Sequence, residues 1–310
     1  NKPLFNRALT GQYPPGSTFK LINGLISLEE KVISPMTIFS CDDGYEYEKD
    51  KKVGCHPHRQ NLSLKSAIAI SCNSYFCKTF AEIFKKYDNT HQAYEVWRNH
   101  LQSFGIGDWM NNDFLTGAKG KLPKQEYYNN TYGKKYWNSS TIISTAIGQG
   151  ELLLTPIQMA NITCIIANRG YYYTPHIISG IENKEKIDSN FTIKKYSTIS
   201  KKNFDIVIEG MEQVISSPKG TANNIFNKNI TICGKTGTAE NPHGEDHSIF
   251  IAFAPKDNPK IAIAVYIENG GWGSKWAAPI SSLMIEKYLN KPTNQKLEDF
   301  ILNGNLVSNK

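Results

Sequence analysis

Residues 11–24 read GQYPPGSTFKLING. Two prolines and a glycine stop any helix before Ser17, and the next residues resume at helical spacing. The pattern over 17–29, STFKLINGLISLE, predicts a buried helix whose start is fixed by the rigid turn in front of it. Ser17 and Lys20 then stand three residues apart on one face, at a helix N-terminus with free backbone N–H groups. A hydroxyl and an amine so placed form a nucleophile–base pair. The same letters also read as an N-cap serine followed by a surface lysine.

The chain supplies its own control. A second S-x-x-K, Ser216 to Lys219, contains Pro218 and has no helical pattern behind it. Two further motifs support Ser17. Ser71-Cys72-Asn73 is the S-x-N of the chain, and Lys235-Thr236-Gly237 lies late, on an expected strand. S-x-x-K, S-x-N and K-T-G in this order are the motif set of serine acyl-enzymes that open amides and β-lactams. The chemistry is coherent. Ser17 attacks a carbonyl, and Lys20, neutralised by burial and by the charge of Lys235, takes its proton. Ser71 relays a proton to the leaving amine, and Asn73 holds substrate amides. Gly237 leaves the strand bare, so that a substrate can lie along it as an added strand. Thr236 and Thr238 offer hydroxyls to a terminal carboxylate. The N–H groups of Ser17 and Thr238 are the expected oxyanion hole.

The bulk numbers bound the rest. The chain has 310 residues, 40% hydrophobic and 20% charged, which suits a folded globular protein. Its net charge of +7 is scattered, without basic stripes interleaved with aromatics, which argues against nucleic acid as a partner. No apolar run reaches the length of a membrane span. The opening residues, NKPLFNRALTGQYPPG, read as the interior of a longer protein.

Along the chain, 36–62 is polar and reads as irregular. Residues 64–86 read as a helical stretch with a break near Ser71, 92–103 as an amphipathic helix and 105–135 as a long loop. Thr155 and Pro156 mark a helix start for 155–168, and 203–216 reads as another helix. The last third turns to β: ITICGKTGTA, HSIFIAFAP and KIAIAVYIE are short strands, the last two a hairpin around KDNP. SKWAAPISSLMIEKYL closes as a helix. The expected class is α/β, one domain over 1–310, with a helical part over roughly 36–200.

With these motifs in place, the chain resembles the transpeptidase domain of class B penicillin-binding proteins. YPPGSTFK, AIAISCNSYF, IGQGELLLTPIQMA, CGKTGTAE, FIAFAP and WAAPISSLMIEKYL carry the likeness over nearly its whole length. Within the family it is most similar to the elongation type, penicillin-binding protein 2. The resemblance implies an antiparallel central sheet flanked by helices, with a helical subdomain carrying S-x-N. It implies a D,D-transpeptidase that forms an acyl-serine from D-Ala-D-Ala stem peptides, passes the acyl group to an acceptor strand, and is acylated by β-lactams. It also implies a membrane-anchored protein with its catalytic domain outside the cytoplasm. That protein carries a pedestal domain and works with a membrane glycosyltransferase and an elongation scaffold. A D,D-carboxypeptidase or β-lactamase, and a non-catalytic β-lactam sensor, are the competing readings. No E-x-x-L-N stretch between S-x-N and K-T-G supplies a deacylating glutamate, which disfavours the β-lactamase.

No cofactor is required for this chemistry, but the cysteines leave room for structural zinc. Cys41, Cys55, His56, His58 and Cys72 supply metal-ligand types at loose spacing. Some elongation-type relatives carry zinc near the active site, with a cysteine inside the S-x-N box, where Cys72 stands here. The resemblance thus assigns Cys41, Cys55, His58 and Cys72, with His58 preferred to His56. A Cys41–Cys55 disulfide is the competing reading. Cys77, Cys164 and Cys233 read as buried thiols.

Overall fold

The structure is a computed structural model that describes residues 4–180, 182, 187–304 and 306. The Pro-Pro-Gly turn leads into a 3-10 turn, Gly16–Phe19, and the first long helix, α1, runs Lys20–Glu29. The α-helix thus starts at Lys20 rather than at Ser17. Ser17 remains one tight turn ahead of the lysine. Helix α1 is buried on all sides, from Leu21 to Leu28, which explains its apolar run.

The segment expected to be irregular is a long hairpin. Strand β1, Phe39–Glu48, pairs antiparallel with β2, Lys51–Leu62. It escaped the sequence reading because its residues are mostly polar and part-exposed, its register is broken twice, and its turn at Lys49-Asp50 lacks glycine. The expected break near Ser71 is present: α2 is Leu64–Ala69 and α3 is Asn73–Lys85. Helix α4 spans Thr90–Ser103, and the long loop after it contains a further helix, α5, at Gln125–Tyr132. Thr155 caps α6, Pro156–Ala167, in a reciprocal capping box with Gln158, and α7 spans Lys201–Ser216.

The sheet is three-stranded among the described residues, in the order β3–β4–β5: Cys233–Ala239, His247–Ala254 and Ile261–Ile267, all antiparallel. Alternation gives β4 two faces. Ser248 turns to the closing helix α8, Ala277–Tyr288, where its Oγ accepts from Ala277 N at 3.3 Å. Ile251 turns the other way, to Phe19, Ile22, Met159 and Ile162 of the 3-10 turn, α1 and α6. Helices therefore cover both faces, as the α/β expectation required. Phe19, Leu21, Leu25, Phe76, Phe80 and Trp97 belong to one continuous core with Ile249 and Ile251 of the sheet. Strand β3 lies at the edge, with β4 on one side.

Candidate active site

Ser17 is carried on the 3-10 turn and held there by backbone meeting backbone. Gly16 has φ +55°, and its N–H donates to Gly148 O at 2.9 Å. A Cβ on Gly16 would lie 2.6 Å from Thr238 O, and one on Gly148 only 2.2 Å from Gly16 O. The glycines of PPGS and IGQG therefore let the turn press directly on strand β3. Gly237 is similarly tight: a Cβ there would meet Ile249 and Thr18 at 3.0 Å.

Lys20 is fully buried, and its Nζ donates to Ser71 O at 2.7 Å, Ser71 Oγ at 3.2 Å and Asn73 Oδ1 at 2.5 Å. Lys235, also fully buried, donates from Nζ to Ser71 Oγ at 2.8 Å and to Thr236 O at 2.9 Å. Burial lowers Lys20 to about 8, against the opposing pull of the Cys55, Cys72 and Cys77 thiols. Burial, and then the charge of Lys20, also lowers Lys235 well below the ordinary lysine range. Burial is the largest cause at both lysines, and the charge of the other lysine adds to it at Lys235.

Ser71 reaches this position through strain. Its φ is +59°, a left-handed conformation that normally calls for glycine. Ser71 N donates to Ile68 O and Cys72 N to Ala67 O, the paired bonds of a helix-ending Schellman turn after α2. The strained turn holds the Ser71 hydroxyl between Lys20 and Lys235. Asn73 opens α3 with all its polar groups engaged: Oδ1 on Lys20, Nδ2 on Gly54 O at 2.7 Å, and N–H on Cys55 Sγ at 3.1 Å.

Ser17, Ser71, Asn73, Thr236, Gly237 and Thr238 line one cleft of about 410 Å³. The three motifs, more than two hundred residues apart at their extremes, converge there. The cleft also takes in Thr221 and Gln149, to which the sequence reading gave no role. Thr221 and Thr236 join hydroxyls at 2.7 Å, and Gln149 Nε2 donates to Thr238 O at 3.4 Å. His56 and the exposed Trp272 stand at its walls. Gln149 lies within the quoted IGQG stretch, whereas no local signal marked Thr221. Glu151 lies apart from this lining and accepts from Tyr128 Oη at 3.3 Å. Tyr75 and Phe76 are core residues.

Beside the cleft, the ligand atoms of Cys41, Cys55, His58 and Cys72 all lie within 4.8 Å of one another. Cys55 Sγ is 3.9 Å from both Cys72 Sγ and His58 Nε2. Backbone N–H groups point at the sulfurs, Asn73 at Cys55 and Tyr75 at Cys72. His58 lies in this cluster, while His56 lines the cleft. All six cysteines are free thiols, so the Cys41–Cys55 disulfide is not formed. Cys77 and Cys233 are buried as expected, and Cys164 is only half-buried.

The arrangement has the parts for acyl transfer: a hydroxyl on a rigid turn, a buried lysine of lowered pKa, and a second hydroxyl bonded to two lysines. Thr236 and Thr238 bring the edge strand into the lining of the cleft. Comparison with known proteins agrees. The family described as Penicillin binding protein transpeptidase domain matches residues 1–286. Peptidoglycan D,D-transpeptidase MrdA of Haemophilus influenzae is 30% identical over 317 residues, covering 94% of this chain and 46% of that protein. The chain thus spans less than half of that relative. The crystal structure of Pseudomonas aeruginosa PBP2 in complex with WCK 5153 superposes with a TM-score of 0.80 at 32% identity, covering 93% of this chain and 63% of the other. PBP2 from Helicobacter pylori, solved in complex with MreC, gives a TM-score of 0.78 at 30% identity, covering 93% of this chain and 51% of that one. Sequence motifs, fold and comparison lead to one assignment: the chain belongs to the penicillin-binding protein transpeptidase family.

Proposed function

We propose that the chain is the catalytic part of a peptidoglycan D,D-transpeptidase of the elongation type. One observation carries the reading: Lys20 and Lys235 both donate to the Ser71 hydroxyl, at the edge of the cleft that Ser17 lines. A hydroxyl has two lone pairs and one proton. With both lone pairs engaged, the Ser71 proton is free to point into the cleft, toward a leaving amine.

In this reading Ser17 Oγ attacks the carbonyl between the two D-alanines, and its proton passes to neutral Lys20. The N–H groups of Ser17 and Thr238 hold the oxyanion. Ser71 delivers a proton to the leaving nitrogen, replenished through the lysines, and the terminal D-alanine departs. Lys235, Thr236 and Thr238 hold its carboxylate, and Asn73 orients the stem-peptide amide. An amine of a neighbouring strand then takes the acyl group from Ser17. β-Lactams acylate Ser17 by the same first step. A carboxypeptidase would give the acyl group to water instead.

The Cys41, Cys55, His58 and Cys72 cluster fits structural zinc. Three sulfurs and one nitrogen are the donors zinc takes at tetrahedral sites, and the N–H groups aimed at Cys55 and Cys72 suit thiolates. When bound, the ion would supply a crosslink between the hairpin and the start of α3, not a reacting group. The H. pylori relative was solved with MreC, and we extend a scaffold partner of that kind, with a membrane glycosyltransferase, to the full-length protein. No helix among the described residues is long and apolar enough to cross a membrane. A peptidoglycan substrate supports extending to this domain the extracytoplasmic side of an anchored protein.

Incubation with a penicillin, followed by intact mass and peptide mapping, tests the reading. A long-lived adduct on Ser17, absent from Ser17→Ala, is expected. Rapid loss of the adduct with accumulation of hydrolysed drug would identify a β-lactamase instead. Turnover of a stem-peptide donor with an amine acceptor separates a transpeptidase from a sensor, and release of D-alanine without crosslinked product would mark a carboxypeptidase.

A further inference from the structure

The S-x-x-K without helical spacing, Ser216 to Lys219, is the turn that leaves α7, and it delivers a hydroxyl to the cleft. Gly220 N donates to Ser217 O at 2.8 Å, and Ala222 N donates to Val214 O at 2.9 Å, which folds the chain back onto the helix end. A Cβ on Gly220 would lie 2.3 Å from Val214 O, so the return leaves no room for a side chain there. Ala222 is fully buried. Thr221 stands between these two anchors and lines the cleft. Its N–H donates to Ala69 O at 3.1 Å, at the end of α2, and its Oγ1 meets Thr236 Oγ1 at 2.7 Å. One residue thus ties the helix that leads into Ser71 to the strand that carries Lys235 and Thr236.

Resting on the acyl-serine reading above, we propose that Thr221 is a positioning residue for the Thr236 hydroxyl, and that the pair makes the cleft selective for acyl donors bearing a free carboxylate. A hydroxyl has one proton and two lone pairs. Two hydroxyls at 2.7 Å share one proton between them and leave the other for the cleft. Lys235 Nζ bonds the Thr236 carbonyl rather than its hydroxyl. Thr221 is therefore the partner of that hydroxyl among the described residues.

A carboxylate only accepts hydrogen bonds. It selects the orientation in which Thr221 donates to Thr236 and Thr236 donates to the ligand. A hydrogen bond to an ionised acceptor is about twice as strong as a neutral one, and the hydroxyl behind it polarises the donor further. An ester at the same place gains only the neutral bond. Without Thr221 Oγ1 the Thr236 hydroxyl loses its partner, and its proton is no longer held toward the ligand. The loss falls on the charged ligand more than on the neutral one.

The test compares benzylpenicillin with its methyl ester on the whole chain, following the second-order rate of Ser17 acylation by intact mass. The unsubstituted protein should react faster with the free acid. Thr221→Val should slow the acid by about tenfold and the ester by less than about threefold. Thr221→Ala, which also deletes the hydroxyl, should give the same acid-to-ester ratio as Thr221→Val. Thr221→Ser keeps the hydroxyl and should recover most of the loss. The ratio of the two rates cancels the folded fraction of each variant, so a partly unfolded variant still decides. Equal losses on acid and ester in Thr221→Val would reduce Thr221 to a structural tie and overturn the proposal. A ratio near one in the unsubstituted protein, or a Thr221→Ser ratio no better than that of Thr221→Val, would overturn it as well. Absence of any Ser17 adduct in the unsubstituted protein would instead overturn the acyl-serine reading itself.

Discussion

Lys20 and Lys235 share the hydroxyl of Ser71, at 3.2 and 2.8 Å, with neither lysine exposed to solvent. Two ammonium groups on one oxygen repel, and burial penalises both charges. At neutral pH the site therefore favours fewer protons than two isolated lysines would hold, and the base can be a lysine.

This fixes a pH dependence. Lys20 is lowered to about 8 by burial, so its neutral fraction grows as pH rises through that value. Acylation by a penicillin should rise with pH and level off above about 8. Lys20→Arg, which stays charged, should lose on the order of 10³-fold or more in acylation rate and show no such rise. A flat profile in the unsubstituted protein would remove Lys20 as base.

The strain at Ser71 can be measured by difference. Ser71→Ala and Ser71→Gly both delete the hydroxyl, and both should slow acylation by about 10²–10⁴-fold. Only alanine keeps a Cβ in the left-handed region. Ser71→Gly should therefore be more stable to urea than Ser71→Ala by about 1 kcal/mol. Equal stabilities would mean that the turn relaxes without cost.

Gly16 and Gly148 should tolerate no side chain. An alanine Cβ would lie 2.6 Å from Thr238 O or 2.2 Å from Gly16 O, respectively, and both glycines have positive φ. Gly148→Ala should cost about 2 kcal/mol or more in denaturant unfolding, and should slow acylation by shifting the turn that carries Ser17.

Metal removal supplies a further test. Elemental analysis should find one zinc per chain, and a strong chelator should lower the melting temperature. Cys41→Ser, which deletes one donor of the four, should lose the metal response. A metal-free protein whose melting ignores added zinc would return the cluster to a set of thiols.

Glu30 gives an acid-side prediction away from the cleft. Burial alone would raise its carboxyl, but hydrogen bonds from Lys86, Tyr87 and His100 outweigh it and bring the group to about 2. The folded pKa lies below the ordinary value of 4.5. Its stabilisation is therefore present above 4.5 and is lost as pH falls toward 2. Glu30→Gln should be less stable at neutral pH and should flatten the stability profile across that window.

The motif-bearing elements were legible because their signals are local. Proline and glycine announced the turn before Ser17, Thr155-Pro156 announced α6, and short apolar runs between turn residues announced β4 and β5. The hairpin was not legible, since Phe39–Leu62 forms strands through pairing and contact with α3 rather than by alternation of its own residues. At the site, the lysines and serines were named by motif. The bonds that orient Asn73 were not, because Gly54 acts through its carbonyl, and a backbone carbonyl carries no sequence signal. Thr221 was missed for a related reason: its role comes only from meeting Thr236 across the fold.

The close approach of Gly16, Gly148 and Thr238 also limits how the cleft can evolve. Where backbone touches backbone, a substitution cannot trim or enlarge the wall by degrees; it displaces the nucleophile or leaves it alone. Gradual escape from an inhibitor must therefore begin at side chains that already project into the cleft, such as Gln149, His56 and Trp272. Resistance, in this protein, should first be sought at the rim rather than at the floor.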